Sequence, residues 1–205
     1  MNKVFVFCPT YRLEPETVQA IHSQTFHNGL LDVFFTRDNP SEDGKNNILH
    51  NYQKGRRVFL ADDYTHMWVV ESDIIPPSNT IERLLALECD LAYGLYCFRH
   101  GSPVVNVYRY TSGPYPDQSI TMFPQLYKAL WGTVTKCSGG GLGCVLIKRR
   151  VLEQIEFRRE KDGPDCDTYF TEDVYRAGFN MMADTSVICG HKRPDGVVLW
   201  PERNE

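Results

Sequence analysis

The sequence has no Cys-x-x-Cys pair, no excess of basic charge, and no apolar run approaching the roughly 18–20 residues that a membrane-spanning helix requires. Each absence excludes a class of protein. Seven cysteines, at positions 8, 89, 97, 137, 144, 166 and 189, are odd in number and scattered, several of them inside apolar runs. That pattern speaks against zinc or thioredoxin-like chemistry and for small buried thiols in a reducing cytosol. A formal net charge of −4 gives no general affinity for nucleic acid, and local pairs such as Arg56-Arg57 and Arg158-Arg159 read as solvated helix ends or loops. The glycines match neither GxxxxGK[ST] nor GxGxxG, so the P-loop and dinucleotide fingerprints are missing. The opening MNKVFVFCPTYR is too short an apolar stretch for a secretory leader and reads as a first core strand, so a cytoplasmic protein is expected.

What is present is a chain of 205 residues, 42% hydrophobic and 23% charged, enough for one domain with a full core. Apolar, β-rich runs predict strands at 3–8, 31–36, 67–71, 91–98, 144–148 and 181–188. Helical spacing and helix-start signals predict helices at 15–25, 46–61, 79–88, 149–155 and 171–177. This alternation predicts a single α/β domain over 1–205 with a mainly parallel central sheet flanked by helices. Residues 99–133 lack periodicity and hold Tyr108, Tyr110, Tyr115, Phe123, Tyr127 and Trp131. A stretch of that length is expected to be a functional excursion, with a β-ribbon around 104–110.

The apolar run Met67-Trp68-Val69-Val70 ends on Glu71-Ser72-Asp73. Two carboxylates at the end of a buried strand are costly to bury unpaired, and a divalent cation would offset that cost. They stand just beyond the carboxyl end of a strand, where ligands collect in open α/β sheets. Period-two alternation puts both on one side, with Ser72 opposite. The other reading is a pair of solvated turn acids before Pro76-Pro77.

Four further signals each have two readings. Gly139, Gly140 and Gly141 suit close backbone approach to a ligand, or an ordinary loop entering a strand. Thr171-Glu172-Asp173 reads as dipole-matching acids at a helix start, or as the seat of a general base. His191, after a strand and Gly190, is a surface histidine or a metal ligand. Pro9-Thr10-Tyr11-Arg12 leaves the first strand as a plain turn or as a platform for a ring.

Taken in order, these motifs resemble the nucleotide-sugar-dependent glycosyltransferases of the GT-A, Rossmann-like fold, most of all the family-2-type members. The set runs from PTYR (9–12) through Asp38, Asn46-Asn47, Glu71-Ser72-Asp73, SGGGLG (138–143), FTED (170–173) and AGF (177–179) to Gly190-His191, nearly the whole chain. The resemblance implies a metal-dependent transferase that uses a nucleotide-sugar donor, a UDP-hexose, and an acceptor hydroxyl. By that resemblance Pro9, Thr10, Tyr11, Arg12, Asp38 and Asn47 border the donor, as do Ser72 and the loop Gly139–Gly141. Asp73 and His191 bind Mn²⁺ or Mg²⁺, with Glu71 on the ribose or on metal-bound water. Asp173 is the catalytic base and Glu172 its neighbour, in contact with acceptor or sugar. The acceptor is a saccharide, a protein side chain or a modified DNA base. A sugar nucleotidyltransferase is the rival enzyme, but it requires a Gly-rich basic loop after the first strand, which Pro9–Arg12 is not. A non-catalytic carbohydrate-binding protein on the same fold is the other alternative.

Overall fold

A computed structural model describes residues 1–27, 29–99, 104–110, 120–122 and 130–202. The first strand, β1 (Asn2–Pro9), sends Val4, Val6 and Cys8 to one face and Phe5 and Phe7 to the other, and both faces are buried. Helix α1 (Pro15–His22) follows with proline in its first turn, then β2 (Gly29–Thr36), α2 (Gly44–Leu60), β3 (His66–Val70) and the short β4 (Ile74–Ile75). Helix α3 (Thr80–Leu85) leads to β5 (Leu91–Leu95), β6 (Val107–Tyr110), β7 (Ile120–Met122), β8 (Val134–Lys136) and β9 (Gly139–Gly140). The chain continues through β10 (Cys144–Lys148), α4 (Arg149–Gln154), α5 (Cys166–Arg176), β11 (Met181–Ile188), β12 (Gly190–Lys192) and β13 (Val198–Leu199).

The central sheet has seven strands in the order β2-β1-β3-β10-β5-β11-β8. Strands β10 and β8 run antiparallel to the others, so the sheet is mainly parallel, as the alternation of elements predicts. One face, carrying Phe5, Phe7, Met67 and Val69, packs against α2, α4 and α5 through Tyr52, Phe59, Leu152 and Phe170. The other, carrying Val4, Val6, Trp68 and Val70, packs against α1 and α3 through Ile21, Ile81 and Leu84. Two small three-stranded sheets, β13-β12-β4 and β7-β6-β9, sit beside this body. Most of the expected excursion at 99–133 falls outside the described residues, but its ribbon is present as β6.

Among the boundaries that differ from expectation, three have a clear local reason. Helix α3 stops at Leu85 because Glu88 takes a left-handed φ of 52° that turns the chain into β5. Strand β5 stops at Leu95, and the Asn106 side chain takes over its edge: Tyr96 N–H donates to Oδ1 at 3.0 Å and Nδ2 donates to Gly94 O at 3.1 Å. Helix α5 begins at Cys166 rather than at Thr171, with Asp165 extended (φ −72°, ψ 160°) at its N-cap after Pro164. Thr171-Glu172-Asp173 therefore lies in mid-helix, and Asp167 occupies the first turn.

Glycine 55 shows how closely α2 sits on the sheet. A Cβ there would lie 2.6 Å from the Phe7 ring. Replacing a mid-helix glycine by alanine ordinarily stabilises by about 1 kcal/mol, while overpacking a core costs about 1–3 kcal/mol. Gly55→Ala is therefore expected to destabilise by about 1–2 kcal/mol, seen as a lower urea midpoint at unchanged m. A raised midpoint would show that the helix rests on Phe7 loosely.

Candidate active site

The acid-x-Asp segment is a turn, not a continued strand. Glu71 N–H donates to Gly143 O at 3.0 Å and Ile74 N–H donates to Glu71 O at 3.0 Å, which ends the strand's alternation before Asp73. Strand β4 then pairs antiparallel with β12, setting His191 opposite Ile74, and Lys192 N–H donates to Asp73 O at 2.8 Å. This backbone ladder brings Asp73 Oδ2 to 3.5 Å from His191 Nε2. His191 Nδ1 lies 2.6 Å from Cys97 O, a bond only a protonated Nδ1 makes, so Nε2 is the acceptor. Arg99 is the donor it meets: Nε donates to His191 Nε2 at 3.0 Å while Nη2 pairs with Asp73 Oδ2. Tyr96 supports the histidine edge-on, ring centroids 5.4 Å apart, and accepts from Gly143 N–H at 3.1 Å. Burial holds the His191 pKa below its ordinary value, so the ring is neutral at pH 7.

A second pair of carboxylates faces this group. Glu71 accepts from Tyr52 Oη at 3.1 Å, and its pKa is raised by burial and by the field of Asp167, against that hydrogen bond and the fields of His191 and Arg99. Asp167, in the first turn of α5, is raised by burial and steadied by Thr168 N–H at 2.7 Å. The field of Asp167 reaches the buried Tyr52, Tyr93 and Tyr96 as well as Glu71, which sets it on the side of α5 that faces the sheet.

Asp173 and Glu172 are not brought to this cluster. A helix turns about 100° per residue, so Asp173 points about 120° away from Asp167. Its carboxylate is held by Arg158, Nε to Oδ2 at 2.6 Å and Nη2 to Oδ1 at 2.9 Å, and that guanidinium lies 4.6 Å from the centre of the Tyr169 ring. Glu172 is buried, and its field falls on Tyr108 and Tyr110.

The other expected contacts divide in the same way. Pro9 ends β1, and Thr10 is buried, with its N–H on Thr36 O at 2.8 Å. Tyr11, 85% exposed, and Arg12 line a cleft of about 100 Å³ together with Ser72, Asp73, Arg99 and Lys192. Asp38 pairs with Lys54 at 2.6 Å, which holds its carboxyl below the usual range. Asn47 ties down the loop before α2 through Ser41, at 2.9 and 2.8 Å. Gly139 and Gly141 are close-approach positions, since a Cβ on either would strike Tyr108 and Thr171, or Tyr96. They serve packing beneath the site. Sequence reasoning missed Tyr52, Tyr96, Arg99 and the buried Glu14, which binds Lys192 at 3.0 Å. For Asp167 a signal exists: Pro164-Asp165 followed by an acid in the first turn is a helix start.

The residues present do not fit a resident divalent cation. Only Asp73 and His191 of the expected ligands meet, Glu71 is engaged by Tyr52, and the guanidinium of Arg99 already stands between the two. Among the described residues there is no group of three or more His, Cys, Asp or Glu side chains able to hold a metal ion. Asp73 Oδ1 is buried and has no hydrogen-bond partner among the described residues, so the carboxylate retains acceptor capacity.

No family model and no curated protein matches the sequence. Among solved structures, the chain is similar to A197 from STIV, with a TM-score of 0.68 at 17% identity over 98% of this chain and 92% of that one. It is similar to S. aureus TarS, TM-score 0.54 at 14% identity, over 90% of this chain and 35% of TarS. TarS 1–349 in complex with UDP gives a TM-score of 0.51 at 13% identity, over 90% and 58%. These likenesses establish a shared mixed α/β fold with a mainly parallel central sheet. The chain spans about a third of TarS. Among the described residues, no helix is long and apolar enough to cross a membrane.

The buried carboxylates have a cost that pH reveals. A carboxyl whose folded pKa is raised contributes fully below its unfolded value, here near 4.5, and loses that contribution as pH rises through the folded value. Glu71→Gln keeps the acceptor for Tyr52 and removes the charge. Its Tm is expected to exceed that of the wild type at pH 8, the gap closing as pH falls toward 4.5. Equal Tm values at pH 8 would show that Glu71 ionises without strain.

Proposed function

We propose that the protein is a glycosyltransferase that moves a sugar from a nucleotide-sugar donor, a UDP-hexose, to an acceptor hydroxyl. One observation carries this reading. At the carboxyl end of β3, a cleft lined by Arg99, Arg12 and Lys192 together with Glu14 and Asp73 adjoins Glu71, a carboxyl with raised pKa that feels the field of a second, Asp167. Diphosphate recognition and proton removal are the two tasks that sugar transfer requires. TarS 1–349, of the same fold, has been solved in complex with UDP and with UDP-GlcNAc.

The chemistry follows from these groups. Departure of a nucleoside diphosphate develops negative charge, which Arg99 and Lys192 stabilise. The exposed Tyr11 ring offers a stacking surface for the nucleobase. We assign the general base to Asp167 rather than to Asp173. A base works best with a pKa near the operating pH, and Asp167 is raised while Asp173 is locked to Arg158. Attack on the face opposite the leaving diphosphate inverts the anomeric carbon. Glu71 holds its proton more tightly than an ordinary carboxyl does, so two neighbouring acids need not both be charged.

Transfer from UDP-GlcNAc, followed as UDP release, tests the assignment. Asp167→Asn is expected to lower turnover by about 10²–10⁴-fold with UDP affinity near normal, whereas Asp173→Asn changes it by less than about tenfold. The opposite ranking would return the base to Asp173. A wild-type protein that binds UDP-GlcNAc and never turns it over would instead be a carbohydrate-binding module.

A further inference from the structure

Resting on the reading of the cleft as a diphosphate site, we propose that Arg99 is its built-in counter-cation, so that the protein binds nucleoside diphosphate without a divalent metal. The two side chains best suited to ligate a metal, Asp73 and His191, both engage one guanidinium, His191 through its remaining lone pair and Asp73 through Oδ2. Nε of Arg99 donates to His191 Nε2 at 3.0 Å, and Nη2 pairs with Asp73 Oδ2. The backbone aims it there. Cys97 bridges Val105 and Phe98 N–H donates to Val104 O at 3.2 Å, which fixes the residues just before Arg99, while Cys97 O holds the far nitrogen of the same histidine.

The direction of the histidine bond separates this arrangement from a metal site. Nε2 is the only lone pair His191 has left, and an N–H group occupies it. A cation entering between Asp73 and His191 must therefore expel Arg99 from both partners. Meanwhile the Arg99 side chain stays 47% exposed, leaving donors of its planar fork open to the cleft. An arginine fork matches phosphate oxygens in pairs. The other lining cations, Arg12 and Lys192, are engaged by Glu14, and Lys192 by Glu16 as well. Each cation of the cleft is thus held in place by an ion pair, and Arg99 meets a new anion through the donors of its fork that remain open. In this account Asp73 and His191 act as positioning residues that hold the guanidinium in place.

Isothermal titration of UDP into wild type and Arg99→Ala, each in EDTA and in Mn²⁺, tests the proposal. Circular dichroism confirms that the half-exposed substitution leaves the fold intact. The wild type is expected to bind equally in EDTA and in Mn²⁺. Arg99→Ala is expected to bind at least about tenfold more weakly in EDTA, and Arg99→Lys to fall between the two. Wild-type binding that requires Mn²⁺, or Arg99→Ala binding that equals wild type in EDTA, overturns the proposal. If UDP binds under no condition, the donor reading falls, and inorganic pyrophosphate in the same titrations decides for Arg99. Pyrophosphate bound in EDTA by wild type and lost in Arg99→Ala upholds it, and any other result removes it.

Discussion

The antiparallel pairing of β4 with β12 governs the geometry of the whole cleft. It joins a turn that follows the third strand to a strand near the end of the chain, residues far apart in sequence, and their side chains meet only because that ladder fixes the register. A slip of one residue would carry His191 to the other face of the small sheet and leave Asp73 without its neighbour. The bond from Lys192 N–H to Asp73 O continues the ladder into the turn, so the position of the carboxylate is set by backbone, with little left to side-chain freedom. Lys192, the next residue of that strand, reaches Glu14 and Glu16 and so ties the same ladder to the start of α1.

Around this ladder the molecule collects charges that a core would otherwise reject. Burial raises Glu71, Asp167, Tyr52 and Tyr96 together, so the ionised forms are disfavoured, and the hydrogen bond from Tyr52 compensates only in part. Such a cluster lowers stability, and the large apolar layers on both faces of the sheet supply the margin that tolerates it. The glycine run belongs to the same economy of space. Gly141 and Gly143 let Tyr96 lie against the backbone, and Tyr96 in turn sets the ring of His191.

The sheet was legible in the sequence because its strands are short, apolar and two-sided: Lys3–Cys8, Met67–Val70 and Cys144–Lys148 could be little else. Asp73 and His191 were legible as chemistry, through the order of motifs. The helix that carries the expected base, Asp173, begins earlier than the sequence suggested, for a specific reason. Thr171-Glu172-Asp173 has the composition of a helix start, and the true start at Pro164-Asp165 lies in a stretch rich in acids and glycine that conceals it. The earlier start places Asp167 in the first turn and leaves Asp173 in mid-helix. Arg99 and Tyr52 were not legible, since each acts through partners distant in sequence, His191 for the one and Glu71 for the other, and neither carries a local motif.

The central claim is that the cleft lined by Tyr11, Arg12, Ser72, Asp73, Arg99 and Lys192 holds the diphosphate of a nucleotide sugar. A crystal structure with UDP bound addresses it most directly. The account predicts phosphate oxygens within hydrogen-bonding distance of the Arg99 guanidinium, the uracil beside Tyr11, and the open end of the diphosphate directed at Asp167. UDP seated elsewhere, or a diphosphate turned away from Arg99 with its charge met by other residues, would contradict it.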